Sequence, residues 1–380
     1  MNTIIYIGNF ELPDKNAAAH RVINNGKIFR EIGYNVVYIG IDKNLNGNID
    51  VLSTEKKYYG FTCYSIPYPK NKKQWFQYLF NLEYFMCIYK LYKKDVSYVI
   101  CYNYPAILIW KILEISKKNN FKVIADCTEW YDGNSKGIIF KMIKGLDSFF
   151  RMRITHKKLD GLILISNYLM NYYSNYKKVL IPPLVDIKDE KWQILPADLP
   201  KDKINLVYTG SPGANKDKLD LIIKALGKYN LDNINLYIIG ITKDECLSLY
   251  IELSDCDIIL KNVYFLGRKS HLECISYLKA ADYTFILRNK NIVTEAGFPT
   301  KFVEATTLGI PVIATGVGEV KYYKDLTELI ILPNNHDMDD ILTMLHSLEK
   351  KCRVSYKLNN IFDYSTKKQN LIEFVRKNEN

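Results

Sequence analysis

The densest concentration of residues able to do chemistry lies at 283–320, YTFILRNKNIVTEAGFPTKFVEATTLGIPVIATGVGEV. Arg288 closes an apolar run, and Gly297, Pro299 and Thr300 lead into a helical pattern over 301–308, with Thr300 as the expected N-cap. Gly309 ends that pattern and the buried-strand sequence PVIAT follows. A helix start offers unpaired amides and the positive end of its dipole. With Lys301 and Arg288 beside it, the segment suits a diphosphate. Glu304 lies one turn further in, where a carboxylate suits ribose hydroxyls. The competing reading is a plain helix–strand unit with Glu304 on its solvated face.

A second strand–turn–helix pattern is YTGSPGANKDKLDLIIKAL at 208–226. Gly210 and Gly213 permit a tight turn, and Lys216 follows at a spacing that sets an ammonium beside a phosphate. Any strand-to-helix turn can also hold two glycines and a lysine. The first turn of the chain, TIIYIG followed by NFELPDKNAAAHRV, has no G-x-G-x-x-G and no acidic residue placed for a ribose. That argues against a nicotinamide enzyme. Asn16 is the expected N-cap there; three alanines, His20 and Arg21 follow. Small residues let an anion approach such a helix start. The alternative is an alanine-rich helix packed on a sheet, with His20 a surface or core histidine.

These residues need elements to position them. Strand candidates in the first half are 3–8, 35–40, 63–68, 97–102, 122–126, 162–166 and 178–182, with helical patterns at 17–32, 75–93, 105–118 and 135–158. The second half repeats the alternation with strands at 204–210, 234–240, 263–267, 283–288, 311–315 and 328–333 and helices at 218–229, 270–281, 301–309 and 337–349. Strands alternating with helices imply parallel sheets covered on both faces. Two series imply an α/β protein of two doubly wound, Rossmann-like domains. The expected boundaries are 1–190, 191–355 and a final helix within 356–380 that packs back on the first domain. The polar, proline-bearing segment 183–203 reads as the linker.

The 380 residues carry a net charge of +11. Residues 1–190 hold 27 Lys/Arg against 17 Asp/Glu, and residues 191–380 hold 25 against 24. A basic first half points to an anionic partner such as nucleic acid, an acidic membrane surface or a phosphorylated substrate; a lysine-rich surface without a partner is the alternative. No recognisable nucleic-acid module accompanies the charge, so nucleic acid is not expected as a partner. The eight cysteines are scattered without a C-x-x-C pair, which favours reduced thiols over a disulfide framework or a zinc site. No run of apolar residues is long enough to span a bilayer, and no signal peptide is visible at MNTIIYIGNF. A cytoplasmic location is therefore expected.

Taken in order, these motifs resemble the GT-B glycosyltransferases of retaining family 4, also called glycosyltransferase group 1. VYFLGRKSHLECISYLKAADYTFIL (263–287) resembles the family's strand–helix–strand lead-in, and FPTKFVEATTLGIPVIAT (298–315) its donor-binding helix in the variant of capsular and surface polysaccharide enzymes. YTGSPGANKDKLDLIIKAL resembles its glycine–lysine turn, IIYIGNFELPDKNAAAHRV its N-terminal acceptor loop, and LILISNYLMNYY with IPPLVD the end of its first domain. The resemblance implies a central cleft and sugar transfer, with retention, from a nucleotide diphosphate donor, UDP-linked, to a polysaccharide or lipid-linked oligosaccharide. Lys216 then matches the lysine on the donor diphosphate, and Glu304 the ribose-binding glutamate. Gly297, Phe298, Pro299, Thr300 and Lys301 match the loop around sugar and phosphates; Gly210 and Ser211 belong to the turn, and Gly267 and Arg268 lie where backbone holds the nucleobase. Two positions depart. Ser211 stands where the family has arginine, with Arg288 as the substitute. Ala296 stands at the first glutamate of E-x7-E, with Glu295 adjacent and out of register.

The implied chemistry stabilises a leaving diphosphate with cations and helix amides. No metal or other cofactor is expected. The D-x-D at Asp255–Cys256–Asp257 precedes a strand and reads as a loop. On the acceptor side, DCTEWYDG (126–133) offers Asp126, Glu129 and Trp130 for sugar contact, or simply a helix-entry loop. The candidate catalytic set is Lys216, Arg288, Glu295, Glu129 and His20. Ile139, Met142, Ile143, Leu146, Phe149 and Phe150 form an apolar stripe on 135–158, opposite Lys141, Lys144 and Arg151. That helix either lies on an anionic inner leaflet or packs its stripe on its own sheet. The aromatic stretch 75–92 reads as buried. The rival readings are a nucleotide-sugar epimerase of the same fold and an inactive GT-B subunit that binds a partner or membrane.

Overall fold

The computed structural model describes residues 2–130, 138–210, 212, 217–229, 231–250, 253, 261–351 and 358–379, with only the backbone for 138–143 and 379. The chain forms two compact units, Met1–Val185 with Asp363–Asn380, and Asp186–Phe362.

In the first unit the strands are β1 (Thr3–Gly8), β2 (Asn35–Asp42), β3 (Lys56–Tyr58), β4 (Phe61–Pro67), β5 (Val96–Tyr102), β6 (Lys122–Cys127), β7 (Gly161–Leu164) and β8 (Lys178–Leu180). They make one sheet in the order β3-β4-β2-β1-β5-β6-β7-β8. Pairing is parallel except for β3 against β4. Every residue of β1 is buried, as a strand covered on both faces requires. On one face, Val22, Phe29, Leu371 and Phe374 pack on Ile4, Tyr6 and Ile100. On the other, Ile88, Leu108 and Ile112 pack on Ile5, Ile7 and Val99. Each such side chain contributes about 1.5–3 kcal/mol.

One polar network crosses the first of these faces. Arg21 is buried and forks onto Asp126, with Nη2 to Oδ1 at 2.7 Å and Nε 3.0 Å from each oxygen. Its Nη1 donates to the carbonyls of Ile181 and Pro182 at 2.8 and 3.2 Å. The Tyr6 hydroxyl donates to Asp126 Oδ2, and Asn25 Nδ2 donates to that hydroxyl at 3.2 Å. Each guanidinium nitrogen finds an acceptor, which is what makes a buried pair tolerable. The network ties β1, the Ala17–Glu31 helix, β6 and the loop after β8 together.

Three local expectations change. The stretch 75–93 is two helices, Lys72–Phe80 and Glu83–Tyr92. Asn71 caps the first through Gln74 N, and Asn81 ends it. That first helix buries no residue, so the stretch is not uniformly internal; the second buries Phe85, Ile88 and Tyr89. The helix expected at 135–158 is helical at Ile138–Phe150 and continues through a π turn at Arg151–Thr155. β3 had no sequence signal, because an exposed edge strand reading Lys-Lys-Tyr has no buried alternation.

The second unit holds β9 (Ile204–Thr209), β10 (Ile234–Ile239), β11 (Val263–Phe265), β12 (Tyr283–Ile286), β13 (Val312–Thr315) and β14 (Leu329–Leu332), in the order β11-β10-β9-β12-β13-β14. All pairs are parallel. The segment 183–203 is not a free linker. Trp192 is 1% exposed. Lys279 Nζ donates to the carbonyls of Trp192 and Ile194 at 3.0 and 2.9 Å, and Ala197 N donates to Ser276 O at 3.0 Å. The chain passes between units at Val185/Asp186, near the start of this segment, and again at Phe362/Asp363. The Lys368–Glu379 helix belongs to the first unit.

Candidate functional site

Strand order in the second unit reverses between β9 and β12. Open parallel sheets bind ligands outside the carboxyl ends of strands at such a switch point. The residues that collect there are Tyr208 and Gly210 from β9 and its exit, Asp217 from the following turn, Arg288 just beyond β12, and Lys301 from the Thr300–Thr307 helix. Asp217 is the hub. Arg288 Nε donates to its Oδ1 at 3.0 Å, Lys301 Nζ to its Oδ2 at 2.9 Å, and the Tyr208 hydroxyl to Oδ2 at 2.7 Å. Lys301 Nζ also lies 3.7 Å from the centre of the Tyr208 ring. Two cations share one carboxylate, so the cluster keeps a net charge of +1. Among the described residues, the two Nη groups of Arg288 make no hydrogen bond.

The electrostatics follow from this packing. Burial pushes Lys301 down to about 8, with Arg288 adding to the fall and Asp217 opposing it. Burial would raise Asp217, but Lys301 and Arg288 outweigh it and hold the carboxyl well below the usual range. Backbone details serve the same cluster. A Cβ on Gly210, which has φ +120°, would sit 2.6 Å from Lys301 Cε, so only glycine leaves the lysine room. Thr315 Oγ1 accepts from Arg288 N and donates to Arg288 O, each at 3.0 Å, locking the exit of β12 against β13.

The Thr300–Thr307 helix begins one residue earlier than expected. Its N-cap is Pro299, not Thr300, and no side chain caps it. Its first-turn amides are therefore free of any capping side chain. The helix ends as expected at Gly309, with φ +67° and Ile310 N bonded back to Ala305 O at 2.8 Å. Glu304 lies on this helix. Its Oε1 is 2.9 Å from Nε2 of His271, the first residue of the His271–Ala280 helix. Both side chains remain partly exposed, at 24% and 30%. Gly267 takes φ +64° just past β11, and its carbonyl accepts from Gly240 N at 2.7 Å. Arg268 beside it is exposed and reaches Glu245 at 3.6 Å.

Other expected members sit elsewhere. Glu295 accepts from Gly318 N at 3.0 Å and pairs with Lys321 at 3.6 Å, so its carboxylate is spent on the turn after β13; Ala296 is fully buried. Phe298 is buried in an aromatic cluster with Phe302, Tyr323 and Phe362. Gly297 closes the preceding short helix, and Pro299 is buried beside it. Lys216, Ser211, Gly213 and Asp255–Asp257 lie outside the described residues.

In the first unit the acceptor-side expectations separate. Asp126 is consumed by Arg21 and unavailable to a sugar. Glu129 is exposed just after β6, and Trp130 packs edge-on against Tyr172 with ring centres 4.9 Å apart. His20 is half-buried in the first turn of the Ala17–Glu31 helix, which Asn16 caps by accepting from Ala19 N at 2.9 Å. Asn103, missed in the sequence, takes φ +42° at the end of β5, and its Nδ2 donates to Thr128 Oγ1 at 2.7 Å. Asp217 and His271 were missed too. Asp217 stands among lysines and has no spacing signal, because its partners are 71 and 84 residues away. A lone histidine after a capping serine carries none either.

The family model described as glycosyl transferases group 1 matches residues 193–368. No curated protein matches the chain. Among solved structures, sucrose-phosphate synthase from Thermosynechococcus elongatus matches with a TM-score of 0.65 at 14% identity, over 91% of this chain and 89% of that one. HepE of Anabaena, solved in complex with UDP, matches at 0.62 and 11%, over 99% and 100%. WaaG, a glycosyltransferase involved in lipopolysaccharide biosynthesis, matches at 0.57 and 12%, over 99% and 94%. The fold is the two-domain α/β fold of the GT-B glycosyltransferases.

Proposed function

We propose that this chain is a glycosyltransferase that moves a hexose from a UDP-sugar, with retention and without a metal, to a polysaccharide or lipid-linked oligosaccharide. Its place would be the cytoplasmic face of the cell membrane, in assembly of a capsule or similar surface polymer. The observation that carries the reading is the cation pair Lys301–Arg288, gathered on Asp217 beside an uncapped helix start, with Glu304 one turn away on the same helix. Transfer needs charge to be met on the departing diphosphate as the bond to the sugar breaks. Pre-placed cations and helix amides do that without reorganising. Glu304, already an acceptor for His271, suits the ribose hydroxyls. The match of 193–368 to the group 1 family model supports the class, and the UDP in HepE supports the donor. The lipopolysaccharide role printed for WaaG supports the acceptor class. His20, Glu129 and Asn103 are the acceptor-side candidates.

The test is titration with UDP, GDP, ADP and CMP on wild type and Glu304→Ala, followed by transfer from the matching nucleotide sugar. UDP should bind selectively. Loss of two carboxylate-assisted hydrogen bonds of about 1.5 kcal/mol each should weaken it about a hundredfold in the variant. The melting temperature should barely move, because Glu304 is not buried. Absence of binding by any nucleoside diphosphate would overturn the reading.

A further inference from the structure

From Lys144 onward, the helix at Ile138–Phe150 and the π turn that continues it are inside out. Residues whose side chains turn inward are Lys144, Asp147, Ser148, Arg151, Met152 and Thr155, at helical spacing and all polar except Met152. Asp147 Oδ1 accepts from Ala106 N at 2.7 Å, Arg151 Nη1 donates to Asn103 O at 3.2 Å, and Lys144 Nζ lies 5.4 Å from the Trp75 ring centre. The outward residues are Leu146, Phe149, Phe150 and Ile154, exposed by 55, 46, 48 and 39%. Water-soluble helices put these two stripes the other way round. The two helices beside it continue the pattern. Phe76 on Lys72–Phe80 is 65% exposed and Trp110 on Ala106–Asn119 is 40% exposed. Lys111 Nζ joins them by donating to Phe80 O at 2.6 Å.

Scattered exposed apolar residues are ordinary, but aromatic ones on three adjoining helices are not. Basic groups accompany them. Arg153 is exposed and its guanidinium lies 4.7 Å from the Phe149 ring centre; Lys111 and Lys158 are exposed as well. Asp147, the one acid of residues 144–155, is half-buried and paired with Arg151 at 3.9 Å. Apolar side chains rimmed by cations fit an interface that is oily below and anionic above.

We propose that this three-helix face, centred on Phe149 and Phe150, docks the protein on an anionic lipid bilayer. The face rests on the proposed function only for its purpose, bringing the enzyme to a lipid-linked acceptor; docking itself is independent of donor chemistry. Phe149 and Phe150 enter the headgroup boundary, while Arg153 and Lys158 meet lipid phosphates.

The test is co-sedimentation of the full chain with phosphatidylcholine vesicles, with and without phosphatidylglycerol, at low and high salt. Binding should require phosphatidylglycerol and fall with salt. Phe149→Ser/Phe150→Ser should weaken it by at least about tenfold, and Arg153→Gln by about fivefold. Both variants should melt like wild type and bind UDP like wild type, which separates failure of docking from failure of the donor site. Equal binding by the double serine variant, or no binding of wild type to anionic vesicles, overturns the proposal. So does sedimentation velocity showing wild-type self-association that the double variant abolishes, since a second copy would then be the occupant.

Discussion

Arg21→Met should cost the first unit about 3–5 kcal/mol of stability, the usual penalty for stranding one member of a buried ion pair. Asp126 is fully buried and would keep only the Tyr6 hydroxyl and a long contact from Asn25. The carbonyls of Ile181 and Pro182 would lose their donor as well. Urea denaturation should show the transition of the first unit shifting while that of the second stays put. Asp126→Asn should be milder, since an amide still accepts from Arg21 but leaves the guanidinium without a counter-charge. The double variant Arg21→Met/Asp126→Leu should recover part of the loss, because no charge is then buried. A midpoint unchanged in Arg21→Met would mean that water or another cation reaches Asp126, against the packing described.

The second large effect concerns the donor site. Asp217→Asn should bind UDP about as tightly as wild type near pH 7, and several-fold more tightly as pH rises toward 9. The sign follows from Lys301. Its folded value lies at about 8, so it is charged below that pH and loses its proton above it. Wild-type affinity for an anion should be full on the acid side and decline through pH 8. Removing the carboxylate leaves Lys301 beside Arg288 with no counter-charge, which lowers the lysine further, so the variant has already lost that proton near neutrality. Above pH 8 both proteins carry a neutral lysine, but wild type keeps the Asp217 charge, so its cluster falls to zero net charge while the variant stays at +1 and holds UDP more tightly. Lys301→Met should show no such transition. A constant ratio across the range would mean that Asp217 acts only by holding the turn in shape.

Much of this was readable from the sequence where the determinants are local. Six-residue apolar runs bounded by glycine gave β1, β9 and β10 because a strand covered on both faces must be apolar throughout. Lys301, Arg288 and Glu304 were legible because one helix and one strand end carry them. What resisted reading depends on distant partners. Trp192 converts a polar, proline-bearing segment into a docked one, but only Lys279 and Ser276 reveal that. The spacing of Leu146, Phe149 and Phe150 identified a stripe, yet its direction is set by Asp147 meeting Ala106 N, which periodicity does not contain. Glu295 was credited with chemistry for its nearness to a motif position, whereas Gly318 claims its carboxylate.

The return of the last helix to the first unit sets an order of events during synthesis. Leu371, Phe374 and Val375 fill that unit's core, Phe374 lies so close to Gly161 that a Cβ there would be 2.6 Å away, and Tyr364 N closes on Val185 O at 2.8 Å. Tyr364, Leu371, Phe374 and Val375 do not exist until the whole of 186–362 has been translated. At about 5–20 residues per second that takes on the order of ten to thirty seconds. The half of the chain made first is therefore the half completed last. Meanwhile an open apolar seat on β7 and the Ala17–Glu31 helix waits beside the ribosome, exposed to chaperones and to the tails of neighbouring nascent chains.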